Sequence, residues 1–140
     1  MSTAARRRLA GELRSVCMRI SRRSRFENTE TIAPHQFSVL ARLEKSDATA
    51  RELAEHERVS APSMSRTIKC LVDEGYIART DDPHDGRQTI LSLTPEGRTA
   101  LKQTRRSRDE WMLTRLGDLT DEECAVLEQA RDILGRVAAR

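Results

Sequence analysis

Three groups of side chains in this sequence have the types and spacing to do chemistry, and each points to binding rather than to bond-making. The first is Pro62, Ser63, Ser65, Arg66 and Lys69. A guanidinium can grip a guanine edge through two hydrogen bonds, a contact that discriminates by about 1–3 kcal/mol, so Arg66 is a candidate base reader. Ser65 and Lys69 suit phosphate oxygens, which position a protein on a duplex without reading its sequence. The second group is His84, Asp85 and Arg87. An arginine on a projecting ribbon can enter a narrow minor groove, where negative potential concentrates, and Asp85 is expected to orient Arg87 by an ion pair. In an ordinary surface turn the same pair would be worth little. The third group is looser. Arg19 or Arg23 could pair the carboxylate of an anionic aromatic ligand while Phe37 or Trp111 packs its ring. Cys17, on an arginine-rich segment that would lower a thiol pKa, could sense oxidants. The plainer reading makes Phe37 and Trp111 core, the arginines solvated or phosphate-facing, and Cys17 a buried inert residue on an apolar stripe.

No nucleophile elbow, P-loop, dinucleotide fingerprint or HExxH pattern is present, so an enzyme is not expected. His35, His56 and His84 stand apart from one another and from Cys17, Cys70 and Cys124 by spacings that match no zinc pattern. Neither a metal, a cofactor nor a disulfide framework is therefore expected. No apolar run approaches a signal segment or a membrane span, which makes the cytoplasm the expected location.

The charge is more informative in its placement than in its net value of +3. Residues 1–25 hold eight arginines against the single acid Glu12, Arg58 to Lys69 hold three bases and no acid, and Arg98 to Arg108 hold five bases and no acid. The acids Asp118, Asp121, Glu122, Glu123, Glu128 and Asp132 gather after residue 117. Such segregation favours a polyanion on one side of the molecule.

Elements that could position these groups follow from periodicity and caps. With only Phe26, Phe37, Tyr76 and Trp111 as aromatics, a core must be built mainly from Leu, Ile, Val, Met and Ala, which favours helices. The spacing of Leu9, Leu13, Val16, Cys17 and Ile20 predicts a first helix over roughly Ala4 to Arg25. Pro34 opens a second helix ending near Ser46. Thr49 and Glu52 form the pattern of a capping box at the head of a short third helix, and Ser60 with Pro62 starts a fourth that ends at Gly75. The period then alternates. Tyr76 to Thr80 and Thr89 to Leu93 read as a hairpin around Asp85-Gly86, after which Thr94-Pro95-Glu96 and Thr120 to Glu123 open two last helices. On the fourth helix, turning Met64, Ile68, Leu71 and Val72 inward against Leu53, Ala54 and Val59 puts Pro62, Arg66 and Lys69 on the opposite face, flanked by Ser63 and Ser65.

The stretch Thr49 to Ala54, Val59-Ser60, Ser65-Arg66, Leu71, Gly75-Tyr76-Ile77, Arg79, Asp82-Pro83, Asp85-Gly86-Arg87 and Leu91 to Gly97 resembles the MarR family of transcriptional regulators, as does Pro34 to Leu40. The resemblance spans essentially the whole chain. It implies a mainly α fold with a small β-hairpin: a single winged helix-turn-helix domain with a reading lobe at about residues 32–93 and dimerisation helices at about 4–25 and 95–138. It further implies a homodimer on a palindromic operator in double-stranded DNA, usually repressing, and often released by a small phenolic or other aromatic effector. Gly86 stands where the family's wing more often has a second arginine, which would weaken wing affinity. Apolar stripes on the first helix and on Val126, Leu127, Ala130, Ile133, Leu134 and Val137 of the last support a dimer independently. Two alternatives stay open: the same DNA-binding role governed by thiol sensing through Cys17, and a winged-helix module that binds protein.

Overall fold

A computed structural model of the chain describes residues 1–27 and 32–140. The elements run α1 (Thr3–Phe26), α2 (Pro34–Lys45), β1 (Ala48–Thr49), α3 (Ala50–Glu57), α4 (Ala61–Asp73), β2 (Ile77–Asp81), β3 (Thr89–Leu93), α5 (Pro95–Leu116) and α6 (Asp121–Ala138). Hydroxyl caps set most of the helix starts. Thr49, Ser60, Thr94 and Thr120 each accept the backbone N–H three residues on, at 3.0–3.3 Å, satisfying a donor the helix itself leaves unpaired. Ser2 does the same for α1. At Thr120 the box is complete, because Glu123 reaches back to the Thr120 N–H at 2.9 Å.

The box expected at Thr49 is only half made. Glu52 Oε1 accepts from the Thr49 hydroxyl at 3.3 Å instead of from its backbone N–H, and Glu52 Oε2 lies 3.8 Å from Arg42 on α2. The same residues belong to a strand that the sequence pattern did not disclose: Ala48 and Thr49 form β1, opposite Leu91 and Ile90. The expected hairpin is therefore a three-stranded antiparallel sheet in the order β1-β3-β2, with β2 and β3 in register from Ile77 opposite Leu93 to Asp81 opposite Thr89.

Beneath the sheet lies one aliphatic core. Val39, Leu40 and Leu43 of α2, Leu53 of α3, Met64, Ile68 and Leu71 of α4, Ile77, Leu91 and Leu101 are buried together. Val59, expected among them, is instead 42% exposed. Arg58 before it adopts a left-handed conformation (φ 56°), turning the chain so that the Val59 N–H returns to the Ala54 carbonyl while the side chain faces outward. Gly75, at φ 81°, ends α4 in the left-handed conformation that glycine adopts without steric cost.

Two joints fasten the long helices to this lobe. At the first, Thr94 Oγ1 donates to the Gly75 carbonyl at 2.6 Å and the Thr94 N–H donates to the Tyr76 carbonyl at 3.1 Å, fixing the start of α5 against the end of α4. At the second, Arg105 of α5 pairs with Glu44 of α2 at 2.9 Å, and the Arg108 guanidinium lies 3.9 Å from the Phe37 ring centre.

Candidate nucleic-acid interface

Helix α4 has two chemically distinct sides. Met64, Ile68 and Leu71 are at most 3% exposed, while Pro62, Ser65, Arg66 and Lys69 are all exposed on the other side. Ser63 is half-buried; its N–H goes to the Ser60 cap and its carbonyl accepts the Thr67 hydroxyl, so it serves the helix as much as the surface. Among the described residues, Arg66 and Lys69 take part in no ion pair, which leaves both cations available to an anionic partner. Arg66 also lines an open cavity of about 360 Å³ shared with His35, Val59 and Cys70.

The wing between β2 and β3 spans residues 82–88 and is closed by the Asp82 N–H donating to the Gln88 carbonyl at 3.0 Å. His84 and Arg87 are exposed there, as expected. The role expected for Asp85 is corrected. Asp85 Oδ1 accepts the backbone N–H of Arg87 at 3.1 Å and makes no ion pair with its guanidinium. Asp82 does the same for the His84 N–H at 2.8 Å. A short carboxylate side chain two residues back is well placed to mimic a backbone turn, so these two aspartates shape the tip, and the Arg87 guanidinium is in no ion pair among the described residues.

The proposed ligand residues do not converge on one pocket. Arg19 is exposed on α1 beside Cys17. Phe37 sits between α2 and α5, covered by Arg108. Arg23 and Trp111 do meet, but on a protein group: Glu27 takes Arg23 Nε at 2.6 Å, the Trp111 indole N–H at 2.9 Å and Arg115 at 2.8 Å. Arg115 also stacks on the Trp111 ring at 3.5 Å. Cys17 lies exposed in the single chain, not buried as the apolar-stripe reading expected, and Cys70 is exposed on α4. No group of three or more His, Cys, Asp or Glu side chains that could hold a metal occurs among the described residues, and no described helix is long and apolar enough to cross a membrane.

The hydrogen bond from Arg23, then that from Trp111, and the nearby charges of Arg23 and Arg115 hold the Glu27 carboxyl below its ordinary 4.5. A depressed carboxyl contributes stability that is present above 4.5 and lost as pH falls through the lower, folded value. Fluorescence of Trp111, the single tryptophan, should therefore report an acid transition centred below 4.5 that is absent in Glu27→Gln. A transition at or above 4.5 would contradict the clasp.

One exposed base escaped the sequence reading. Arg58 forms the left-handed turn between α3 and α4, three residues before Ala61 opens α4. The acid-free run from Arg58 to Lys69 held the signal, but helical spacing alone directed attention to Arg66 and Lys69.

A short helix, a tight turn, a second helix with an uncovered cationic face and a sheet-borne wing define a winged helix-turn-helix protein of the DNA-binding class. The comparisons agree. Residues 31–88 match the MarR family. An uncharacterised HTH-type transcriptional regulator of Mycobacterium bovis is 40% identical over 129 residues, 91% of this chain and 90% of the relative. A putative transcriptional regulator from Pseudomonas aeruginosa superposes with a TM-score of 0.83 at 30% identity over 99% of both chains. A MarR mutant from Escherichia coli, solved with operator DNA, shares the fold at a TM-score of 0.60 and 23% identity, covering 88% of this chain and 93% of that one. The chain belongs to the MarR family of transcriptional regulators, and is a regulator rather than an enzyme.

Proposed function

We propose that the chain acts as a homodimer that binds a palindromic operator as a repressor and lets go when a small anionic aromatic ligand binds. The observation that carries the DNA reading is the exposed Arg66 and Lys69 on the outer face of α4, in no ion pair among the described residues and held in place by Met64, Ile68 and Leu71 on the inner one. The relative solved with operator DNA supports the same use of the fold. Exposed apolar stripes support the dimer. Leu9, Leu13, Val16 and Ile20 of α1 are 39–42% exposed, and Val126, Leu127, Ile133, Leu134 and Val137 of α6 are 37–69% exposed. Contiguous apolar surface of this kind costs free energy in water and is covered in a symmetric pair by the same patches of a second copy. On this reading, α1, α5 and α6, at about residues 4–25 and 95–138, dimerise, and residues of about 32–93 read DNA.

The trigger is best placed at Glu27. A ligand carboxylate of the benzoate type would compete with Glu27 for Arg23 and Arg115 while its ring packs beside Trp111, loosening α1 from α5.

Duplex binding measured against salt tests the reading. A protein that neutralises phosphates loses affinity linearly in log salt, with a slope of roughly −0.9 for each phosphate contacted. Steep salt dependence on operator DNA is the expected result; absence of binding at low salt would leave a protein-interaction module as the surviving reading. Arg87→Ala should weaken binding mainly where A·T-rich sequence flanks the half-sites, and an unchanged footprint and affinity would remove the wing from the interface.

A further inference from the structure

The first half of α5 carries a cationic ridge made of residues other than those proposed above for reading DNA and for the apolar dimer contacts. Its inner face is Gly97, Ala100, Leu101 and Thr104, all buried. Arg98, Lys102 and Arg106 are exposed on the outer side at intervals of four residues, so they rise in line, roughly 6 Å apart along the helix. Together with Arg105, Asp109 and Glu44 at the end of α2 they line an open groove of about 450 Å³. Glu44 is already taken by Arg105 at 2.9 Å, and that hydrogen bond, with the nearby charges of Arg105 and Arg98, keeps its carboxyl below the ordinary range. Arg98, Lys102 and Arg106 have no ion-pair partner among the described residues. Four bases thus face two carboxylates, one of them neutralised in place.

The ridge lacks the large exposed apolar side chains that the proposed dimer contacts offer. Large exposed apolar side chains on α5 begin at Leu113, 61% exposed, beyond the groove. Between Pro95 and Asp109 every exposed residue other than Pro95 is polar or charged.

We infer that the groove between the end of α2 and the first half of α5 binds a small ligand bearing a chain of two or three phosphate groups. Guanidinium forks and an ammonium group give charge-assisted hydrogen bonds to phosphoryl oxygens, and a ridge three side chains long matches a short phosphate chain better than an extended polymer. Such a ligand would lie across the Glu44–Arg105 joint that ties α2 to α5. The groove is lined by α2 and α5 and by no residue of α4, so its test is independent of DNA binding.

The experiment is calorimetric titration of the full chain, free of DNA, with inorganic tripolyphosphate. One saturable site per chain is expected. The triple variant Arg98→Ala, Lys102→Ala, Arg106→Ala should bind at least about tenfold more weakly, since each charge-assisted hydrogen bond contributes on the order of a tenfold factor or more. Arg6→Ala, Arg7→Ala, Arg8→Ala removes the same charge from exposed positions on α1 and should leave binding unchanged. Alanine is the best helix former, and melting curves check that both triples fold; Lys102→Gln alone should weaken binding in the same direction. No saturable binding, equal loss in both triples, or loss on Arg66→Ala instead would overturn the site. So would binding that vanishes as protein concentration drives dimerisation, which would assign the ridge to the acidic α6 of a second copy.

Discussion

Arg66→Ala is expected to weaken operator binding roughly 5- to 150-fold, corresponding to about 1–3 kcal/mol for one bidentate base contact. The side chain is exposed, takes no part in an ion pair among the described residues, and stands opposite Met64, Ile68 and Leu71, which anchor α4 from the inside. Its removal therefore leaves the lobe intact, and the change in stability should stay within about 0.5 kcal/mol. Competition among operators with single base changes separates reading from mere attraction. With Arg66→Ala, discrimination should relax at one position of each half-site. Lys69→Ala should instead weaken all duplexes alike and lower the salt slope by about one phosphate equivalent. Wild-type affinity with wild-type discrimination in Arg66→Ala would refute the assignment of this residue as the base reader.

Gly97→Ala should cost about 2–3 kcal/mol of stability, an overpacking penalty at the high end of the usual range, seen as a fall in melting temperature on the order of 6–12 °C. A Cβ at this position would lie 2.1 Å from the Tyr76 carbonyl oxygen and 2.7 Å from Leu93 Cδ1. Alanine's better helix propensity, worth up to about 1 kcal/mol, acts in the opposite direction and is outweighed. The obstructing atom is backbone, and it is already pinned as the acceptor of the Thr94 N–H at 3.1 Å, so it cannot yield as a flexible side-chain end would. Relief requires the first turn of α5 to move away from the end of α4. Gly11→Ala is the control: nothing lies within 4 Å of the Cβ it would add in the single chain, so the substitution should be neutral or stabilising. Thermal melts of the two variants side by side test the close approach, and a Gly97→Ala protein as stable as wild type would refute it.

The helices were legible because their determinants are local. A hydroxyl at Thr49, Ser60, Thr94 or Thr120 caps a helix three residues away, and the alternation of buried and exposed positions on α4 follows from the 3.6-residue turn, so Met64 and Ile68 inside imply Arg66 and Lys69 outside. The composition foretold an aliphatic core, and the charge runs marked the cationic side of the lobe.

What local reasoning did not reach depends on partners distant in the chain. Strand β1 is two residues long and exists only because β3, some forty positions away, supplies its ladder. Asp85 and Arg87 are two residues apart, yet whether the carboxylate serves the guanidinium or the backbone was settled by the turn conformation, which took it for the N–H. Phe37, Arg23 and Trp111 all carry the right chemistry for a ligand, but Arg108 and Glu27 reach two different places to occupy them. The sequence by itself determined which segments are helical, which face of α4 is cationic and which family the chain resembles, since those rest on periods and caps of a few residues. Only the tertiary structure decided which charges are paired and which are free, because an ion pair is a matter of distance in space, and α1, α2 and α5 meet only once the chain is folded.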